Sequence, residues 1–194
     1  MRRISLTSHS AKGLVAEAVK ILHQGGTVAY PTETAYGLGA DFFNPLAVKK
    51  VYAIKGRSFK KRLSVLVSSL AQARKLVKLD SRSLKLARKY WPGPLTLVLP
   101  AVDGKETLAV RQSSAKLATA LIRKLGRPIT ATSANLSGRP ENYSAEEVIK
   151  SFKNRKRRPD LVLDAGRLPQ RKVSTVVQAV GGKVKVLRQG EIKV

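Results

Sequence analysis

Three short segments carry residue types that core packing does not call for. Residues 31–39, PTETAYGLG, combine a proline, two hydroxyls, one carboxylate and two glycines. Lys55-Gly56-Arg57 follows, with Lys60, Lys61 and Arg62 directly behind it, so five cations fall within eight residues. Ser133-Ala134-Asn135 comes much later and precedes Leu136-Ser137-Gly138. Together these supply what a chain needs to hold a small polar substrate beside a phosphate. Each segment also has a plain alternative. Thr32 and Thr34 could sit in a polar turn at the sheet edge, with Gly37 and Gly39 in backbone conformations closed to other residues. Lys55 and Arg57 could simply offset the dipole at a helix C-terminus. Against that, closely packed cations repel unless an anion sits among them, and Arg57 can grip phosphate with a planar fork while Lys55 acts as a point charge. Ser133 and Asn135 could satisfy a turn, or present a hydroxyl and an amide at a strand end, where α/β sheets bind ligands.

The rest of the composition narrows the chemistry. The chain has no cysteine, which excludes disulfides and thiolate metal sites and suits a reducing compartment. His9 and His23 are its two imidazoles, and neither lies near a plausible nucleophile in sequence. No Walker pattern occurs, since Gly181-Gly182-Lys183 lacks the flanking residues. No paired carboxylates or Asp-x-Asp cluster suggest a metal site. A nucleotide would therefore be held by basic side chains and backbone amides. Among the 194 residues, 38 Lys and Arg oppose 12 Asp and Glu, a net charge of +26. Either a general charge bias or a polyanionic partner, nucleotide or RNA, accounts for it. Four Phe and one Trp argue against a base-stacking platform. The N-terminus has no apolar run after its arginines, and no window approaches the ~20 apolar residues of a membrane span. The expectation is a soluble, cytoplasmic protein without a membrane partner.

The elements that must position these residues alternate between helix and strand. Ser10 caps a helix that ends at Gly25-Gly26, and 27–31 is a short strand. Asn44-Pro45 opens a helix closed by Gly56. Residues 63–68 read as a strand buried on both faces, followed by helices at about 70–77 and 81–90. WPGP at 91–94 makes a rigid turn before the strand 95–99, and 107–111 is another strand. A helix over 114–125 stops at Gly126, and 128–132 is a strand leading into Ser133. Ser144 and Glu147 give a helix-start signature for 144–152. Residues 154–158 form a solvated basic loop, and strands at 160–166, 174–180 and 182–188 close the chain. The pattern predicts one α/β domain, without a linker, built on a largely mixed sheet.

Taken in order, PTETAYGLG, KGR with LSVLV, WPGPLTLVL, AVR, SAN-SG, STVV and LRQG resemble the motifs of the YrdC/Sua5 family over about residues 12–190. The length is similar to its single-domain, TsaC-like form. The resemblance implies a twisted sheet with flanking helices around a positively charged cavity. It also implies synthesis of threonylcarbamoyl-AMP and pyrophosphate from L-threonine, bicarbonate and ATP, for the t6A modification of tRNA. By that resemblance Lys55, Arg57, Ser133 and Asn135 form the catalytic and ATP-binding set, joined on the nucleotide by Arg188. Thr32, Ser64, Arg111 and Ser174 fall on threonine, with Arg111 as the carboxylate fork. Mg²⁺ would arrive with ATP rather than in a protein cage. A downstream threonylcarbamoyl-transferase complex would take the product, and tRNA or another structured RNA is a further partner. The chain departs from the family pattern at Ser58 and Arg62, where proline is usual, and at Gln112-Ser113, where Val-Pro is usual. The alternative reading is an RNA-binding module without the enzymatic role.

Overall fold

The computed structural model describes residues 1–194 apart from Ser8. Its described residues form one ten-stranded sheet in the order β1-β8-β2-β3-β7-β4-β6-β5-β9-β10. The strands are β1 (Arg2–Ser5), β2 (Val28–Pro31), β3 (Tyr36–Gly39), β4 (Ser64–Val67), β5 (Leu95–Pro100), β6 (Thr107–Gln112), β7 (Ile129–Ser133), β8 (Leu161–Asp164), β9 (Thr175–Val180) and β10 (Lys183–Arg188). Pairings β1–β8, β2–β8, β4–β6 and β5–β9 are parallel, and the other five are antiparallel, so the sheet is mixed.

Six helices flank it: α1 (Ala11–His23), α2 (Pro45–Lys55), α3 (Leu70–Arg74), α4 (Ser81–Tyr90), α5 (Lys116–Leu125) and α6 (Ala145–Phe152). Their ends follow local chemistry. Ser10 Oγ accepts from Gly13 N at α1, and Asn44 Oδ1 accepts from Leu46 N and Ala47 N at α2, where Pro45 needs no donor. Gly56 closes α2 at φ 60°, a left-handed conformation that a side chain resists. At α6 Ser144 caps Glu147 N, and Glu147 reaches back to Tyr143 N, one residue before the usual capping-box partner.

Adjacent strand residues point to opposite faces, and the core divides accordingly. Tyr30, Leu66, Ile129, Leu161 and Leu163 pack beneath α1 and α5. Ala29, Leu38 and Val162 face the other way, beneath α2 and α6. Val65, Val67, Leu97 and Val110 form a third cluster with α3 and α4. Ser64 and Ala131 lie two residues along from Leu66 and Ile129 and so share the α1–α5 face.

Three expectations need correction. Residues 31–39 do not make a turn at a sheet edge: β2 and β3 are interior strands, and the turn between them is residues 32–35 at a strand end. Gly37 and Gly39 lie in β3 without positive φ. They are small because Tyr30 lies across them: a Cβ on Gly37 would sit 3.1 Å from the Tyr30 ring, and one on Gly39 would sit 2.6 Å from Thr130 O. The helix expected over 70–77 stops at Arg74, because Val77 is drawn into a bridge with Ala101 and Lys78 N donates to Pro100 O.

Candidate active site

Eight strands and their loops converge on one cavity. Its wall includes Thr32 and Thr34 from the β2–β3 turn, Ser133 from β7, Ser64 from β4, Arg111 from β6, Thr96 from β5, and Ser174 and Arg188 from the β9–β10 ribbon. Arg57 and Arg62 stand at the wall from the loop after α2, and Glu141 faces it from the loop after β7. Four arginines and one glutamate thus line the same space.

Each arginine is fixed by the protein. Arg57 donates from Nε to Lys61 O at 2.7 Å and from Nη2 to Arg62 O at 3.1 Å. Arg62 donates to Thr107 O at 3.2 Å and pairs with Glu106. Repulsion among the five cations of residues 55–62 is therefore relieved by burying one, pairing one and tying one to loop carbonyls. Arg111 donates from Nη1 to Glu33 Oε1 at 2.8 Å in an ion pair that is about nine-tenths buried on both sides. Arg188 donates twice to Ser174 O, at 3.1 and 2.8 Å, and once to Ser174 Oγ at 3.0 Å. Desolvation by surrounding protein lowers the Arg188 guanidinium below its ordinary pKa; Glu141 opposes this and Arg111 adds to it.

The hydroxyls divide by what they already do. Thr32 Oγ1 donates to Ala35 O at 2.7 Å and accepts from Thr34 N and Ala35 N, so it stiffens its own turn. Ser174 Oγ shares a 3.0 Å hydrogen bond with Thr96 Oγ1. Gly190 makes this possible: a Cβ there would lie 2.1 Å from Val173 O, so only a bare backbone can cross behind Ser174.

Lys55 and Asn135 stand behind the wall. Lys55 is 2% exposed, and its ammonium donates to Ser133 O, Asn135 O and Asn135 Oδ1 at 2.5, 2.9 and 2.9 Å. Ser133 Oγ donates to the same Asn135 Oδ1 at 2.7 Å, and Ser137 N donates to Lys55 O at 2.9 Å. Asn135 Nδ2 in turn holds the carbonyls of Arg139 and Pro140. The structure thus brings Lys55, Ser133 and Asn135 into one latch that clamps the end of β7 to the end of α2. In this placement all three N–H bonds of the Lys55 ammonium go to protein oxygens. Burial pushes the Lys55 ammonium down to about 8; the charge of Arg57 adds to this and Glu141 opposes it.

Sequence reasoning gave no role to Glu33, Arg62, Thr96 or Glu141. Glu33 carried a signal as the one carboxylate of the first motif and Arg62 as one of the five clustered cations; Thr96 and Glu141 carried none. Among the described residues no group of three or more His, Asp or Glu could hold a metal ion, and no helix is long and apolar enough to cross a membrane.

The geometry can be set against known proteins. The Sua5/YciO/YrdC family model, described as telomere recombination, matches residues 20–190. The threonylcarbamoyl-AMP synthase of Bacillus subtilis (strain 168) is 41% identical over 151 residues, 73% of this chain and 44% of that protein. The threonylcarbamoyl-AMP synthase of Pyrococcus abyssi (strain GE5 / Orsay) is 36% identical over 182 residues, 89% of this chain and 53% of that protein. The chain thus spans about half the length of the curated relatives it matches. The crystal structure of P. abyssi Sua5 complexed with L-threonine superposes with a TM-score of 0.86 at 33% identity, covering 97% of this chain and 57% of that one. Escherichia coli YciO gives 0.82 at 25% identity, covering 97% and 94%. A match across most of the sequence and nearly all of the fold has one meaning: this chain belongs to the Sua5/YciO/YrdC family.

Proposed function

We propose that this chain makes threonylcarbamoyl-adenylate and pyrophosphate from L-threonine, bicarbonate and ATP, as a nucleotidyltransferase supplying tRNA t6A modification in the cytoplasm. One observation carries the reading: four tethered arginines and a set of hydroxyls converge on one cavity in a chain 36–41% identical to threonylcarbamoyl-AMP synthases. The amine of threonine and bicarbonate condense to a carbamate with loss of water. A carbamate oxygen then attacks the α-phosphorus and pyrophosphate leaves. Both partners are anions, so the demand is for fixed positive charge and orientation rather than for a protein nucleophile. Arg57 and Arg188 face the phosphates, Arg111 takes the threonine carboxylate, and Ser64, Thr32 and Ser174 shape the amino-acid end. Lys55 and Asn135 act by holding Ser133 and its strand end in place. Magnesium enters with ATP as part of that substrate. The product, a mixed anhydride, passes to a threonylcarbamoyl transferase complex. The test is pyrophosphate release: it must require threonine, bicarbonate and ATP together. Release without threonine would refute the reading.

A second role, RNA binding, is favoured by one surface. Residues 153–158 are exposed and hold five cations, and Arg157 adjoins Lys49, Lys50, Leu46 and Phe59 on the outer side of α2. Phe59 is 64% exposed, so an aromatic face is available beside phosphate-binding cations. RNA affinity that falls steeply with salt, and that K156E/R157E removes without affecting pyrophosphate release, is the expected result.

A further inference from the structure

Glu33 is the feature that the proposed chemistry leaves unused. It projects from the tip of the β2–β3 turn, which Thr32 braces through three hydrogen bonds. Its carboxylate is split between two elements: Oε1 accepts from Arg111 Nη1 on β6, and Oε2 accepts from Ser113 Oγ. Ser113 is itself buried and hydrogen-bonded. It is 1% exposed, its Oγ accepts from Ala115 N at 3.2 Å, and its carbonyl accepts from Thr119 Oγ1 of α5 at 3.0 Å. The Glu33–Arg111 pair is therefore single-point rather than a bidentate fork. Among the described residues Arg111 makes no other side-chain hydrogen bond, so the remaining N–H groups of its guanidinium are left toward the cavity it lines.

We propose that Glu33, with Ser113 behind it, is a positioning residue that fixes the Arg111 guanidinium so that its free edge meets the substrate carboxylate. The arrangement answers a chemical need. An arginine on a strand end has several rotatable bonds, and a planar fork that can spin offers a carboxylate no defined partner. One bond from a braced carboxylate stops that rotation and leaves a two-donor edge open. A bidentate pair would have blocked the site, and no pair would have left the fork free. The substrate named here, threonine, rests on the proposed function; the tether itself does not.

The experiment uses the full chain with Glu33→Ala, Glu33→Gln and Ser113→Ala. Nitrogen-15 NMR of the arginine side chains reports rotation about the Arg111 Nε–Cζ bond, and calorimetry reports the Kd of L-threonine and of ATP separately. Restricted rotation is expected in the wild type and free rotation in Glu33→Ala. The threonine Kd rises about 10- to 100-fold in that variant, because a misplaced binding group loses that order, while the ATP Kd changes less than threefold. Glu33→Gln keeps an oxygen for Arg111 and an amide for Ser113, and restores most of both signals. Ser113→Ala gives an intermediate loss. Equal losses of threonine and ATP affinity, or an Arg111 side chain that stays restricted in Glu33→Ala, would overturn the proposal. A wild type that binds no threonine refutes the proposed function, and the Arg111 rotation then decides the tether by itself.

Discussion

Replacing Lys55 by methionine keeps the stem of the side chain and removes its ammonium. Three oxygens lose a charged donor: Ser133 O, Asn135 O and Asn135 Oδ1. Hydrogen bonds to a charged group are worth about 1.5–3 kcal/mol each, so the lower end of the range gives about 4 to 5 kcal/mol for three. Burial, helped by the charge of Arg57, takes the ammonium from its ordinary 10.5 to about 8, which offsets about 3 to 4 kcal/mol of that. The latch therefore contributes about 1 kcal/mol net, and Lys55→Met should lower the unfolding free energy from urea titration by about that amount with an unchanged m-value. Its effect on turnover should be larger than its effect on stability, because Ser133 sits on the clamped strand end. The pH dependence gives a second readout with a definite sign. The folded state releases its Lys55 proton near 8, whereas the unfolded chain holds it to 10.5. Between those values the unfolded state binds more protons, so this group makes the fold more stable as pH rises and contributes no slope below 8. Turnover moves the other way above pH 8, since a neutral amine has two N–H bonds for three acceptors. Subtracting the Lys55→Met stability profile from the wild-type profile isolates this slope. A flat difference between pH 8 and 10.5 would refute the depressed ammonium, and a variant within 0.5 kcal/mol of wild type that turns over at the wild-type rate would refute the latch.

Three other perturbations test the surroundings of the cavity. Arg57→Lys keeps the charge but cannot hold two loop carbonyls and still offer a fork, so the KM for ATP should rise about tenfold with threonine affinity little changed, by steady-state kinetics. Gly39→Ala places a methyl 2.6 Å from Thr130 O and 3.0 Å from the Tyr30 ring and should cost about 2–3 kcal/mol of stability by thermal unfolding. Gly190→Ala drives a methyl into the backbone behind Ser174; calorimetry should show threonine binding weakened about tenfold, and an unchanged Kd would mean that the Ser174–Arg188 clamp is not used.

Local chemistry made most element boundaries legible. Ser10, Asn44-Pro45 and Ser144 mark helix starts, and Gly56 and Gly126 mark ends, because a cap or a left-handed residue is decided within one turn of chain. β3 escaped because Tyr-Gly-Leu-Gly carries a turn signal; what it needs is two small residues under a tyrosine from the neighbouring strand, and that neighbour is set by register. The early end of α3 escaped for the same reason, since Val77 is claimed by the far strand end. Within the site, the latch residues and the arginines were visible as residue types. Their division of labour was not. Lys55 looks like a phosphate ligand in sequence, and its three protein acceptors, two of them backbone, are visible only in the fold. Glu33 and Arg111 are 78 positions apart, and no periodicity links them.

The way the four cavity arginines are held distinguishes them. Arg57 and Arg188 are tethered by neutral acceptors, loop carbonyls and a serine, and so keep their full charge. Arg62 and Arg111 are tethered by carboxylates, Glu106 and Glu33, and so act as oriented donors within pairs of no net charge. A triphosphate brings several negative charges and needs unpaired cations. An amino-acid carboxylate brings one charge beside an amine that must lose its proton to react, and an unopposed cation is not required to hold it. Directional donors suffice, and on the proposed chemistry Arg57 and Arg188, which have no carboxylate partner, remain for the phosphates. All four are held by protein groups, so little reorganisation accompanies binding. The high net charge of the chain is thus a poor guide to its chemistry: what matters at the site is which few of the cations the fold leaves without a counter-ion.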